Sequence, residues 1–148
     1  MGVCNTLEPI LPRMHQRGSG QVALIASVAS FMPNADPQWA AYHASKTWLR
    51  TYGMALRAFL EPAGVGVTTI CPGYVATEMI DTFGSPSISA QATATANAVT
   101  GMVHAIRTNV GVHVCPSLIY LLAGGPLAYN MLPPFAFNAL FAGFRMPK

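Results

Sequence analysis

Charge is scarce in this chain: 9% of its 148 residues are Asp, Glu, Lys or Arg, against about 25% in an ordinary globular domain. Two residues are Lys, and the Arg lie scattered at 13, 17, 50, 57, 107 and 145. The net charge of +3 therefore forms no basic run, and a nucleic-acid partner is excluded. Cysteine is scarce and odd in number. Cys4, Cys71 and Cys115 show no CxxC spacing, which argues against a disulfide framework or zinc site and for a reducing, cytoplasmic setting. Four His, at 15, 43, 104 and 113, also lack ligand spacing, so no metal is expected. His43 is expected to face solvent. Repeats, linkers and low-complexity tracts are missing, so residues 1–148 are expected to form one domain.

What the chain does have is apolar: 52% of its residues are hydrophobic, enough for an adequate core. From Thr108 to Phe144 there is no formal charge, and Ser117 to Leu122 opens a strongly apolar run. Gly124-Gly125-Pro126 and Pro133-Pro134 cut that run into pieces shorter than the ~20 residues that span a bilayer. The segment 117–144 is expected to be a helical apolar flap. It would cap a substrate pocket, pack on a partner subunit or make a peripheral membrane contact. At the other end, Met1-Gly2-Val3-Cys4-Asn5-Thr6 fits the N-myristoylation pattern. An internal segment that opens on Met-Gly by chance fits it too, and is the reading adopted here.

Two short runs read as buried parallel strands. Gly20 to Ser27 is almost wholly apolar and enters from a Gly turn, as a strand covered on both faces does. Val65 to Cys71 is a second, closed by the turn dipeptide Pro72-Gly73. Between them, Ala44, Trp48, Tyr52, Leu56 and Leu60 recur at helical spacing over 40–60, and Pro62 and Gly64 end the helix. Strand, helix and strand make a βαβ unit with a right-handed crossover. A helix is expected over Val3–Gln16 and another over Ser89–Ile106, with a last short strand at 110–114. The fold class is α/β.

Ligands of such sheets bind beyond the carboxyl ends of the strands, where Ser27 and Cys71-Pro72-Gly73 fall. Tyr42 and Lys46 lie four apart on the intervening helix, on one face, with Cβ atoms about 5–6 Å apart. An ammonium so placed favours a phenolate and pulls a Tyr pKa down from about 10, towards what a general acid or base near neutrality needs. A nearby Ser hydroxyl can donate to a substrate carbonyl oxygen. Alone, the Tyr-x-x-x-Lys pair arises by chance in about one chain in fifteen of this composition, and its bland reading is a core ring and a solvated ammonium. The agreement between motif and strand ends is what gives it weight.

Ile25 to Ser30, Tyr42-His43-Ala44-Ser45-Lys46 and Ile70 to Met79 together resemble the second half of a short-chain dehydrogenase/reductase. The resemblance runs from about Gly2 to Met79. It implies the last strands of a Rossmann-type, doubly wound parallel sheet of seven, and hydride exchange between NAD or NADP and a carbonyl or secondary alcohol. It further implies that Ser27 polarises the substrate oxygen and that Tyr42 passes the proton. Lys46 would lower the Tyr42 pKa and hold the nicotinamide ribose, with Pro72, Gly73, Val75 and Thr77 around the nicotinamide. Ser30, beyond the strand end, is the weaker candidate for the serine. The Ser27–Tyr42 gap is two residues longer than the commonest family spacing, which an insertion within 32–38 accommodates.

The family's glycine-rich turn, which cradles the pyrophosphate at a helix N-terminus, has no counterpart here. Gly18-Ser19-Gly20 precedes a strand instead of following one, and Asn5 is out of register with the family's catalytic Asn. No residue separates NAD from NADP. Two functions are therefore expected to compete. One is an oxidoreductase acting on a small, lipophilic molecule; the other is a truncated, inactive fragment. The fragment would keep the family's packing helices, 3–16 and 40–60, and act by forming oligomers.

Overall fold

The computed structural model describes residues 2–31, 37–83 and 86–115. Two short helices open it, α1 (Gly2–Leu7) and α2 (Leu11–Arg17), followed by strand β1 (Gly20–Ile25) and a 3-10 turn (Val28–Ser30). The long helix α3 (Pro37–Leu60) leads through a second 3-10 turn (Glu61–Ala63) into β2 (Val65–Pro72). Helices α4 (Glu78–Phe83), α5 (Pro86–Gln91) and α6 (Thr95–Arg107) precede β3 (Val112–Cys115). The insertion expected within 32–38 falls largely, and the apolar flap 117–144 entirely, outside the described residues.

The strands form a parallel sheet in the order β1-β2-β3. Gly20 pairs with Val65 through to Ile25 with Ile70, and Thr69 with Val112 through to Pro72 with Cys115. Central β2 is buried on both faces. Val65, Val67 and Cys71 join Val22, Leu24, Leu49 and Leu60 in a core on the side of α3. Helix α6 packs over β2 and β3 on the other side, with Ala98 and Ala105 buried.

The close approach of α3 to the sheet depends on Gly53. A methyl group there would overlap the Thr69 hydroxyl and touch Leu24. Arg57, one turn further, ties three elements together. Its Nη1 donates to the Val67 carbonyl (2.9 Å), the Asn109 carbonyl (2.9 Å) and Asn109 Oδ1 (3.0 Å), and its Nη2 pairs with Glu61.

Four expectations are corrected. The single helix over 3–16 is broken after Leu7, because Pro9 has no N–H and its ring crowds the preceding turn. Pro12, in the first turn of α2, is tolerated. The helix expected over 89–106 is interrupted at Thr93, which bridges Val75. The Thr93 N–H donates to the Tyr74 carbonyl (2.8 Å) and its carbonyl accepts from the Ala76 N–H (2.9 Å), so its backbone is spent outside a helix. Strand β1 is buried on one face only: Val22 and Leu24 are covered, whereas Gln21, Ala23 and Ile25 are exposed, since α6 lies over its neighbours. On α3 the buried positions are Leu49, Gly53 and Leu60, while Ala44 and Trp48 are exposed.

Candidate active site

Ser27 follows the last ladder bond of β1, in which the Ala26 N–H donates to the Ile70 carbonyl (2.7 Å). Its backbone is extended (φ −172°, ψ 158°) and it caps the 3-10 turn, its Oγ accepting from the Ala29 N–H at 3.1 Å. The same hydroxyl donates weakly to the Pro72 carbonyl, at 3.5 Å. Ser27 thus stands between the carboxyl ends of β1 and β2. Ser30 points elsewhere: it is buried, with Oγ 3.8 Å from Cys71 Sγ.

Helix α3 brings the other two groups. Lys46 donates from Nζ to the Ile25 carbonyl at 3.1 Å, and Nζ lies 5.8 Å from the centre of the Tyr42 ring. Tyr42 is 41% exposed, which overturns the reading of its ring as core. Trp39 stands edge-on to it at 6.1 Å and His43 at 5.9 Å. His43, expected in solvent, is therefore half-buried against the phenol.

The Pro-Gly loop lies at the same end of the sheet as Ser27. The Gly73 N–H donates to the Cys115 carbonyl (2.7 Å), extending the β2–β3 ladder by one bond. Val75 pairs with Thr93, and the Thr95 hydroxyl donates to the Ala76 carbonyl. Thr77 is exposed at the head of α4, its carbonyl accepting from the N–H groups of Ile80 and Asp81. Thr93 and Thr95 went unnoticed in the sequence, because their contacts with the loop span almost twenty residues.

Burial pushes the Tyr74 phenol up, and the nearby Tyr42 adds to this, so Tyr74 stays neutral. Burial likewise pushes the Cys71 thiol up, against smaller opposing effects of the Ser30 hydrogen bond and the Arg50 charge. Cys71 is then a packing thiol and no nucleophile. Among the described residues no group of three or more His, Cys, Asp or Glu is placed to hold a metal, and no helix is long and apolar enough to cross a membrane.

A family model described as short chain dehydrogenase matches residues 1–88. An uncharacterised oxidoreductase of Myxococcus xanthus is 40% identical over 85 residues, 57% of this chain and 33% of that protein. Oxidoreductase UcpA of Salmonella typhimurium is 35% identical over 86 residues, 58% of this chain and 32% of that one. A short chain dehydrogenase from Burkholderia cenocepacia, solved in complex with NADP, superposes with a TM-score of 0.70 at 22% identity. That match covers 96% of this chain and 55% of the other, and shows a shared partial Rossmann-type fold. The chain spans about a third of the length of these two curated relatives.

Proposed function

This chain belongs to the short chain dehydrogenase family, and on that premise we propose that it carries the proton-transfer site of an NAD(P)-dependent oxidoreductase. The substrate is a carbonyl compound or secondary alcohol of apolar character. The observation that carries this reading is Lys46 set between the Tyr42 ring and the strand end that leads into Ser27.

The residues present fit the nicotinamide end of the cofactor. Lys46 spends one N–H on the Ile25 carbonyl and keeps two of its three donors for ribose hydroxyls. Tyr42, Pro72, Gly73, Val75 and Thr77 would line the same end. Bound NAD(P) supplies or accepts the hydride. Tyr42, exposed and beside an ammonium, gives the proton to the substrate oxygen in reduction and takes it back in oxidation. Ser27 donates to that oxygen as charge builds there. The Ala29 N–H on Ser27 Oγ polarises the hydroxyl and makes it a better donor. To act, Ser27 turns its proton from the Pro72 carbonyl, a long and weak bond, towards the substrate. The three free thiols suit a reducing, cytoplasmic setting.

The test joins residues 1–148 to the first half of the Myxococcus xanthus relative and follows NADPH oxidation with a panel of ketones. Turnover of apolar ketones supports the reading. A chimera that folds and binds NADPH without reducing any of them counts against it.

A second reading is favoured by the outer face of α3, where Trp48, Met54 and Phe59 are 45%, 49% and 66% exposed. A groove of about 620 Å³ between this helix, α1 and α2 is lined by Leu11, His15, Tyr52 and Phe59 among others. In this reading the face pairs with a second copy, through the helices the family uses for dimers. Sedimentation velocity of the chain and of Phe59→Glu tests it, association lost in the variant being the expected result.

A further inference from the structure

Helix α3 does more than present Tyr42 and Lys46. Lys46 holds the Ile25 carbonyl, two residues before Ser27. The next residue, Thr47, donates from Oγ1 to the Ser30 carbonyl at 3.2 Å, three residues after Ser27. One turn on, the Arg50 guanidinium lies over the ring of buried Phe31, 4.5 Å from its centre. Arg50 Nε is buried without a hydrogen-bond partner, so on that side the guanidinium is held by the ring and by packing. From below, Ser30 Oγ meets Cys71 on β2. The 3-10 turn that Ser27 caps is thus gripped on both flanks by one helix and braced by the central strand.

We propose that Thr47 and Arg50 are positioning residues that fix the Ser27 hydroxyl relative to Tyr42. Ser27 itself touches α3 through none of these bonds, and its orientation depends on the turn behind it. That turn is three residues long, with few bonds of its own: the Ser30 N–H to the Ser27 carbonyl and the Phe31 N–H to the Val28 carbonyl, each 3.0 Å. Short 3-10 segments hold poorly alone. Because the grip comes from the helix that carries Tyr42 and Lys46, all three groups share one rigid reference. The inference rests on the reading of Ser27 as the group that polarises the substrate oxygen. It also gives Ser30 a role as the turn's brace on β2.

Amide hydrogen exchange of the 148-residue chain tests it without turnover, so its failure is distinct from failure of the catalytic reading. The Ala29 N–H is bonded to Ser27 Oγ and reports directly on where that hydroxyl is held. Thr47→Val is expected to speed exchange at Ala29 and Phe31 about fivefold while Val67 and Ile70 stay within about twofold. Thr47→Ser, which keeps the hydroxyl, restores the protection; Arg50→Gln raises exchange at the same two amides. If Arg50→Gln does not fold, the Thr47 pair decides. Unchanged exchange at Ala29 in Thr47→Val, equal acceleration at all four amides, or failure of Thr47→Ser to restore protection would overturn the proposal.

Discussion

The Lys46 ammonium donates to the Ile25 carbonyl at 3.1 Å, crossing from helix α3 to the end of β1, two residues before Ser27. The bond has two effects. It anchors a long, flexible side chain, so that its charge stays one turn from Tyr42 at little further entropic cost on binding. It also joins the helix to the strand end, so Tyr42 on α3 and Ser27 beyond β1 belong to one unit.

The cofactor should bind this chain weakly. No glycine-rich turn occurs in the 148 residues, and the anion-binding helix N-terminus such a turn provides supplies much of the grip on a pyrophosphate. Isothermal titration of the 148-residue chain with NAD and NADP is expected to give dissociation constants of about 1 mM or weaker. Saturable binding in the micromolar range would mean that another part of the chain holds the diphosphate.

Arg57 should matter more than its partly exposed position suggests. Replacing it with Met frees the carbonyls of Val67 and Asn109, both accepting from a charged donor. A loss of about 2 kcal/mol in urea unfolding is expected. Arg57→Lys should recover little, because an ammonium cannot reproduce the guanidinium fork. Full recovery by Lys would reduce the site to simple charge.

Much of this was legible in the sequence, and the exceptions have physical causes. Strand β2 was readable because it is apolar on both faces and ends in Pro-Gly. The break between α1 and α2 was hidden because Val3, Leu7, Leu11 and Met14 keep helical phase across it, and all four pack on the core. Thr93 has a residue's ordinary helical context, and only its bridge to Val75 removes it. The open face of β1 depends on which helix lies above it, which a strand's own residues do not encode. Of the site, Ser27, Tyr42 and Lys46 stood out by type and spacing. Thr47 and Arg50 did not, since their partners at Ser30 and Phe31 are set by tertiary packing.

Acid should weaken the packing of α6 on β3. His113 on β3 lies against Gly101 of α6, and its Nε2 is buried without a hydrogen-bond partner. Burial first, and the nearby His104 second, hold its pKa below the ordinary value, which is about 6.5. A depressed pKa means the folded state prefers neutral His113. Its contribution is therefore fully present above about 6.5 and is lost as the pH falls through the folded value. Urea unfolding at pH 7.5 and 5.5 should show a smaller acid-induced loss in His113→Leu than in wild type. An equal loss in both would remove His113 from the account.

The central claim is that Ser27 and Tyr42 act on one substrate oxygen. In the chimera that turns over a ketone, Tyr42→Phe should lower kcat by about a thousandfold, with NADPH affinity nearly unchanged, because the ring stays and only the proton is lost. Ser27→Ala alone should cost about a hundredfold. The deciding measurement is kcat of the double variant. Groups serving one oxygen act as a unit, so the double loss should be close to that of Tyr42→Phe alone. Losses that multiply in full, or a Tyr42→Phe variant that keeps its rate, would contradict the account.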